Sequence, residues 1–191
     1  MEAFLVSTGV VALAELGDKT QLLAFCLAAR FRKPLPIVLG ILVATLLNHG
    51  LAGGLGAWLA SLLTPAALRW ALGLSFIAMA VWMLVPDKLD DGAATVPRLG
   101  VFGATLVAFF LAEMGDKTQV ATVALAARYS VLWAVVACTT LGMMLANVPA
   151  VYLGERMAGG VSAAWVRTVP AGILAVLGVA ALGGAGGSFG L

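Results

Sequence analysis

Charge is what this sequence has least of: acidic and basic residues together make up 10% of 191 positions, and the net charge is only +2. Basic residues sit at segment ends and form no run or stripe, which excludes nucleic acid as a partner. Histidine occurs once and cysteine twice, too few for a thiolate or imidazole zinc site or for a disulfide framework. Cys26 and Cys138 lie in apolar segments at non-equivalent places in the chain and read as small packing residues. No HExxH motif, no Ser/His/Asp set and no polar stretch of domain size is present, so an enzyme is not expected. Met1-Glu2 offers no basic region ahead of the first apolar run, so that run is expected to stay in the mature protein.

Apolar residues are abundant instead. They make up 62% of the chain, and the mean hydropathy of +1.08 lies far outside the soluble globular range, so the bilayer is the expected solvent. Stretches long enough to cross about 30 Å of hydrocarbon fall at approximately 3–29, 35–62, 66–85, 100–127, 131–154 and 162–183. They are separated at Arg30-Phe31-Arg32-Lys33-Pro34, at Thr64-Pro65, at Pro86 to Gly92, at Arg128-Tyr129-Ser130 and at Glu155-Arg156. The expected fold is an all-α integral membrane protein with six transmembrane helices.

One octapeptide is written twice: "AELGDKTQ" at Ala14 to Gln21 and "AEMGDKTQ" at Ala112 to Gln119. Glu15 and Glu113 are 98 residues apart (113 − 15 = 98), and the same offset aligns Ala28-Ala29-Arg30 with Ala126-Ala127-Arg128 and Leu55-Gly56 with Leu153-Gly154, while Asn48 and Asn147 match with a shift of one. The chain therefore divides into repeat 1 at 1–85, a linker at 86–99 and repeat 2 at 100–191. Three spans per unit is an odd number, so the second unit enters the membrane upside down, as in many transporters whose sites lie where inverted repeats meet. Arg30, Arg32, Lys33, Lys88, Arg98, Arg156 and Arg167 fall in loops one, three and five, against Arg69 and Arg128 on the other side. By the positive-inside rule those three loops are cytoplasmic and both termini periplasmic, in a cell inner membrane.

A charge at the centre of a span costs about 2.5–3.5 kcal/mol, so Glu15, Asp18, Lys19, Glu113, Asp116 and Lys117 would cost about 15–20 kcal/mol if left unpaired. On one continuous helix the three charges of each motif share a single face. A purely structural account pairs Lys19 with Glu15 and Lys117 with Glu113, but it leaves Asp18 and Asp116 with a residual charge of −2 that one divalent cation would cancel. The candidate metal ligands are Glu15, Asp18, Glu113 and Asp116, with support from Gln21, Gln119, Asn48, Asn147, Thr20 and Thr118, and with Lys19 and Lys117 as charge partners. This all-oxygen set suits Ca²⁺, Mn²⁺ or Mg²⁺ better than Zn²⁺ or Cu. His49 could serve as a ligand or a proton carrier, and Met114 could add a soft sulfur donor, but with no second histidine His49 reads rather as a packed or interfacial residue and Met114, about 100° around the helix from Glu113, as a packing one. Gly17 and Gly115 serve either close packing or a local break of the helix. The GxxxG within Gly50 to Gly54 and the glycines at Gly183 to Gly187 read as packing and tail features.

The doubled E-x-G-D-K-T-Q, one intact copy per three-helix unit, resembles the UPF0016 or Gdt1 family of cation exchangers, whose small bacterial members include a manganese exporter. The resemblance covers essentially the whole chain. It implies export of Mn²⁺, with Ca²⁺ as the alternative cargo, in exchange for protons, with the acidic motif residues as the transient binding site and no permanent cofactor. Two other classes fit the residues: a proton or cation channel using the same carboxylates, and a structural membrane subunit that needs only the salt bridges.

Overall fold

A computed structural model of the chain describes residues 2–84, 99–129 and 131–153, together with positions 175, 176, 179, 182 and 183. Among them the chain is helical, with no strand: α1 (Glu2–Glu15), α2 (Lys19–Phe31), α3 (Pro34–Leu62), α4 (Pro65–Leu84), α5 (Gly100–Glu113), α6 (Lys117–Arg128) and α7 (Leu132–Leu153). The expected sixth span at 162–183 and the linker at 86–99 lie almost wholly outside the described residues, as do Lys88, Arg98, Arg156 and Arg167.

Helix ends follow local chemistry. Pro34 opens α3 and Pro65 opens α4, at the position where a missing N–H costs nothing. Thr64 Oγ1 caps α4 by accepting from the Ala67 N–H at 3.3 Å, satisfying one of the first-turn donors. Three helices, α3, α4 and α7, are long and apolar enough to cross a bilayer, and they match the second, third and fifth expected spans to within a residue. The first and fourth spans differ from expectation: each is two shorter helices, α1 with α2 and α5 with α6, parted at the octapeptide.

Beside an apolar core, charged groups are buried while large apolar side chains cover the outside. Leu5, Leu35, Leu51, Leu62, Trp133 and Leu111 are each more than 60% exposed, whereas Glu15, Asp18, Glu113, Asp116 and Lys117 are at most 2% exposed. That inversion is stable only where the surroundings are lipid, so the chain is membrane-integral. α1 packs along α7 and α5 along α3, while α3 also meets α6 and α7, and α4 lies on α6. Close approach of α3 to α5 depends on Gly40, where an added Cβ would meet Thr105 at 2.8 Å and the Phe102 carbonyl at 2.9 Å. The GxxxG glycines do not play that part: nothing lies within 4 Å of a Cβ built on Gly50 or Gly54, and it is Gly53 and Gly56 that meet α6 and α7.

Candidate metal site

Each octapeptide stops one helix and starts another. Gly17 and Gly115 both have φ of 75°, a left-handed conformation open to glycine and strained for other residues. The preceding turn tightens: Asp18 N–H donates to the Glu15 carbonyl at 3.1 Å and Asp116 N–H to the Glu113 carbonyl at 3.1 Å. Gln21 and Gln119 hold the breaks shut, their Oε1 atoms accepting from the Gly17 N–H and the Gly115 N–H, each at 2.9 Å. Of the two roles open to these glycines, the structure shows the break.

The break overturns the single-face arrangement. Glu15 ends α1 and Lys19 begins α2, so the four-residue spacing is not a helical one and Lys19 does not pair with Glu15. The lysines cross between motifs instead: Lys19 Nζ lies 2.9 Å from Asp116 Oδ1, and Lys117 Nζ pairs with Asp18 Oδ1. Asp18 and Asp116 sit at the starts of α2 and α6, where the positive ends of two helix dipoles favour a carboxylate. One oxygen from each of Glu15, Asp18, Glu113 and Asp116 lies within 4.8 Å of the others, and all four residues are buried.

Supporting groups divide into those that touch the carboxylates and those that brace the breaks. Thr20 Oγ1 donates to Glu15 Oε2 at 2.7 Å, with Asp18 Oδ2 at 3.2 Å as a second acceptor. Thr118 Oγ1 donates to Glu113 Oε2, also at 2.7 Å. Asn147 Nδ2 donates to Glu15 Oε2 at 3.2 Å. Asn48 instead donates to the Phe110 carbonyl at 3.1 Å and accepts from Gln119 Nε2 at 3.0 Å. Gln21 Nε2 donates to the Ala146 carbonyl of α7 at 3.0 Å. Gln21, Gln119 and Asn48 are thus committed to the scaffold.

Oxygens remain for a ligand: among the described residues Glu15 Oε1, Glu113 Oε1 and Asn147 Oδ1 are buried without a hydrogen-bond partner, an arrangement that costs free energy unless something else satisfies them. A donor set of four carboxylates with two ammoniums beside it can hold a hard divalent cation. The sequence offered no sign of Met143, four residues before Asn147, whose Sδ lies 3.4 Å from the Asn147 amide nitrogen. Met114 is 55% exposed, at the break and not packed. Cys26 is exposed and Cys138 buried, both free.

An apolar shell around a buried, charged, oxygen-lined centre is the architecture of a membrane transporter for ions. The family model described as "Divalent cation/proton antiporter GDT1" matches residues 3–91 and 101–188, and the chain belongs to that family. A Vibrio cholerae protein whose name assigns it, provisionally, to manganese export is 48% identical over 182 residues, 94% of this chain and 90% of its own length. A GDT1-like protein of Synechocystis is 32% identical over 85% of this chain and 87% of its own length. GDT1-like protein 4 of Oryza sativa is 29% identical over 88% of this chain and 68% of its own length. No solved structure matches the chain.

Proposed function

We propose that this protein exports a divalent cation, Mn²⁺, from the cytoplasm in exchange for protons, and that Glu15, Asp18, Glu113 and Asp116 bind the ion. The observation that carries the site is the convergence of both motifs, with four buried carboxylate groups within 4.8 Å and two crossed lysine pairs. The choice of Mn²⁺ over Ca²⁺ is supported by the 48% identity to the Vibrio cholerae protein named for manganese export. Four carboxylates and two ammoniums sum to −2, so one M²⁺, or two protons on the same carboxylates, brings the site to neutrality. Exchange of one M²⁺ for two H⁺ then avoids carrying net charge through a low dielectric.

Alternating access follows from two inverted three-helix repeats, 1–85 and 100–191, joined by a cytoplasmic linker at 86–99, in a bacterial inner membrane with both termini periplasmic. The reading is supported by equivalent bonds recurring 98 residues apart, such as Thr20 to Glu15 and Thr118 to Glu113, and by helices broken at the site, a feature of inverted-repeat carriers. Purified protein in liposomes with a pH-sensitive dye inside tests the function. Saturable Mn²⁺ flux coupled to opposite proton movement is expected; flux without proton movement, or flux that rises linearly without saturation, defeats it.

A further inference from the structure

Side-chain amides are scarce in this chain: Gln21, Asn48, Gln119 and Asn147 are all there are. Each carries an oxygen that accepts and a nitrogen that donates, and away from water an unmet end is costly. Three of the four have their oxygen bonded. Gln21 Oε1 accepts from the Gly17 N–H, Gln119 Oε1 from the Gly115 N–H, and Asn48 Oδ1 from Gln119 Nε2. Asn147 is the exception: the residue is 0% exposed, yet its Oδ1 has no hydrogen-bond partner among the described residues.

Turning the amide over would not help. Its nitrogen faces three acceptors, Glu15 Oε2 at 3.2 Å, the Met143 carbonyl at 3.2 Å and Met143 Sδ at 3.4 Å, so exchanging the two ends would set oxygen against oxygen. The oxygen is therefore fixed on the same small planar group whose other end touches Glu15. Glu15 Oε1 is also buried and without a partner. Both atoms are acceptors, so neither can satisfy the other; what both lack is an electropositive partner. Glu15 is one of the four residues whose carboxylate oxygens gather within 4.8 Å, and a cation held in that cluster is the partner that would meet both.

We propose that Asn147 is a neutral oxygen ligand of the transported cation, supplied by α7 on the Glu15 side of the site. This rests on the proposed metal site, to which it adds a donor from outside both octapeptides. Amide carbonyls are ordinary ligands of hard cations, and this one raises the coordination number without altering the charge of −2 that one divalent cation cancels. Asn48 supplies nothing comparable on the Glu113 side, since both ends of its amide are spent on Gln119 and the Phe110 carbonyl. The shell is thus lopsided although the carboxylates are duplicated.

The test is electron–nuclear double resonance on Mn²⁺ bound to the full-length protein in micelles, with asparagine carrying ¹³C at its side-chain carbonyl incorporated by cell-free synthesis. Only two asparagines occur in the chain, so a ¹³C coupling of the size given by a directly bound carbonyl, kept in Asn48→Ala and lost in Asn147→Ala, identifies Asn147. Binding measurements separate a ligand from a brace. Asn147→Ala should weaken Mn²⁺ binding about tenfold or more. Asn147→Asp keeps an oxygen for the ion but loses the N–H that holds Glu15, and should recover most of that loss. Bound Mn²⁺ without the ¹³C coupling in the unaltered protein, or Asn147→Asp binding no better than Asn147→Ala, overturns the ligand assignment and leaves the carboxylate site standing. Mn²⁺ that does not bind the unaltered protein at all overturns both.

Discussion

The two copies of the octapeptide share a backbone and differ in their surroundings. Both glycines have φ of 75°, both threonines donate to their glutamates at 2.7 Å, and both lysines cross to the other motif's aspartate. Yet the Lys19 side chain is 25% exposed and that of Lys117 only 2%. Glu15 is held by an asparagine from α7, whereas Asn48 on α3 donates to the Phe110 carbonyl and not to Glu113. Gln21 is braced on a backbone carbonyl of α7 and Gln119 on the Asn48 side chain. The chemistry is duplicated while the surroundings are not, the Lys19 ammonium being the more exposed of the two. A carrier of two inverted halves works by letting the halves trade such environments, so the difference between the copies is the readable part of the proposed cycle.

The largest effect should come from removing the shared chemistry. Asp18→Asn with Asp116→Asn leaves two lysines facing neutral amides and should lower Mn²⁺ flux in liposomes by more than about a hundredfold, beyond the 10- to 100-fold typical of losing a group that only supports a ligand. The single variants should weaken Mn²⁺ binding to the same degree, within about threefold; a gap of tenfold or more would break the equivalence of the two motifs. The lysines should separate them instead. Lys117→Gln strips a buried carboxylate of its partner and should cost about 3–5 kcal/mol in chemical unfolding. Lys19→Gln also takes a partner from a buried aspartate, but the ammonium it removes is a quarter exposed and already partly solvated, so it should cost less, about 1–3 kcal/mol.

The asparagines sharpen the contrast further. Asn147→Ala removes a bond made directly to Glu15, and a bond to a charged group is worth about 1.5–3 kcal/mol, so Mn²⁺ affinity should fall about tenfold or more. Asn48→Ala removes contacts to Gln119 and the Phe110 carbonyl, with an expected loss of about 1 kcal/mol of stability and less than about threefold in affinity. Titration calorimetry and unfolding on the same two variants check both numbers; equal losses of affinity would mean that Asn48 also reaches the ion.

Much of this was legible in the sequence because it is a matter of composition and repetition. Apolar length gave α3, α4 and α7 nearly to the residue, and the doubled motif gave the four carboxylates. What the sequence hid was the consequence of Gly17 and Gly115. A glycine in an apolar run reads equally as a packing residue, and nothing local decides between that and a left-handed break. The crossed lysine pairs followed from that one choice, since a continuous helix would have kept each lysine beside its own glutamate. The asparagines that the repeat pairs take different partners: Asn147 reaches Glu15, while Asn48 bonds Gln119 and the Phe110 carbonyl. Asn48 is a brace whose role depends on a partner 71 residues away, which no pattern within either helix displays.

A further pair of substitutions tests the break by itself. A Cβ built on Gly115 meets nothing within 4 Å, so Gly115→Ala introduces no clash, and the whole cost is that of holding alanine at positive φ, about 1–2 kcal/mol. Asparagine tolerates that conformation better, so Gly115→Asn should recover part of the loss, an order that a packing role would reverse because asparagine is the larger side chain. Gly17→Ala and Gly17→Asn should follow the same order by the same amounts, since the two breaks share their φ and their glutamine brace. Unfolding midpoints that rank alanine above asparagine at both positions would return these glycines to close packing, while an inversion at one position alone would show that only one motif needs its break to stay open in the resting state.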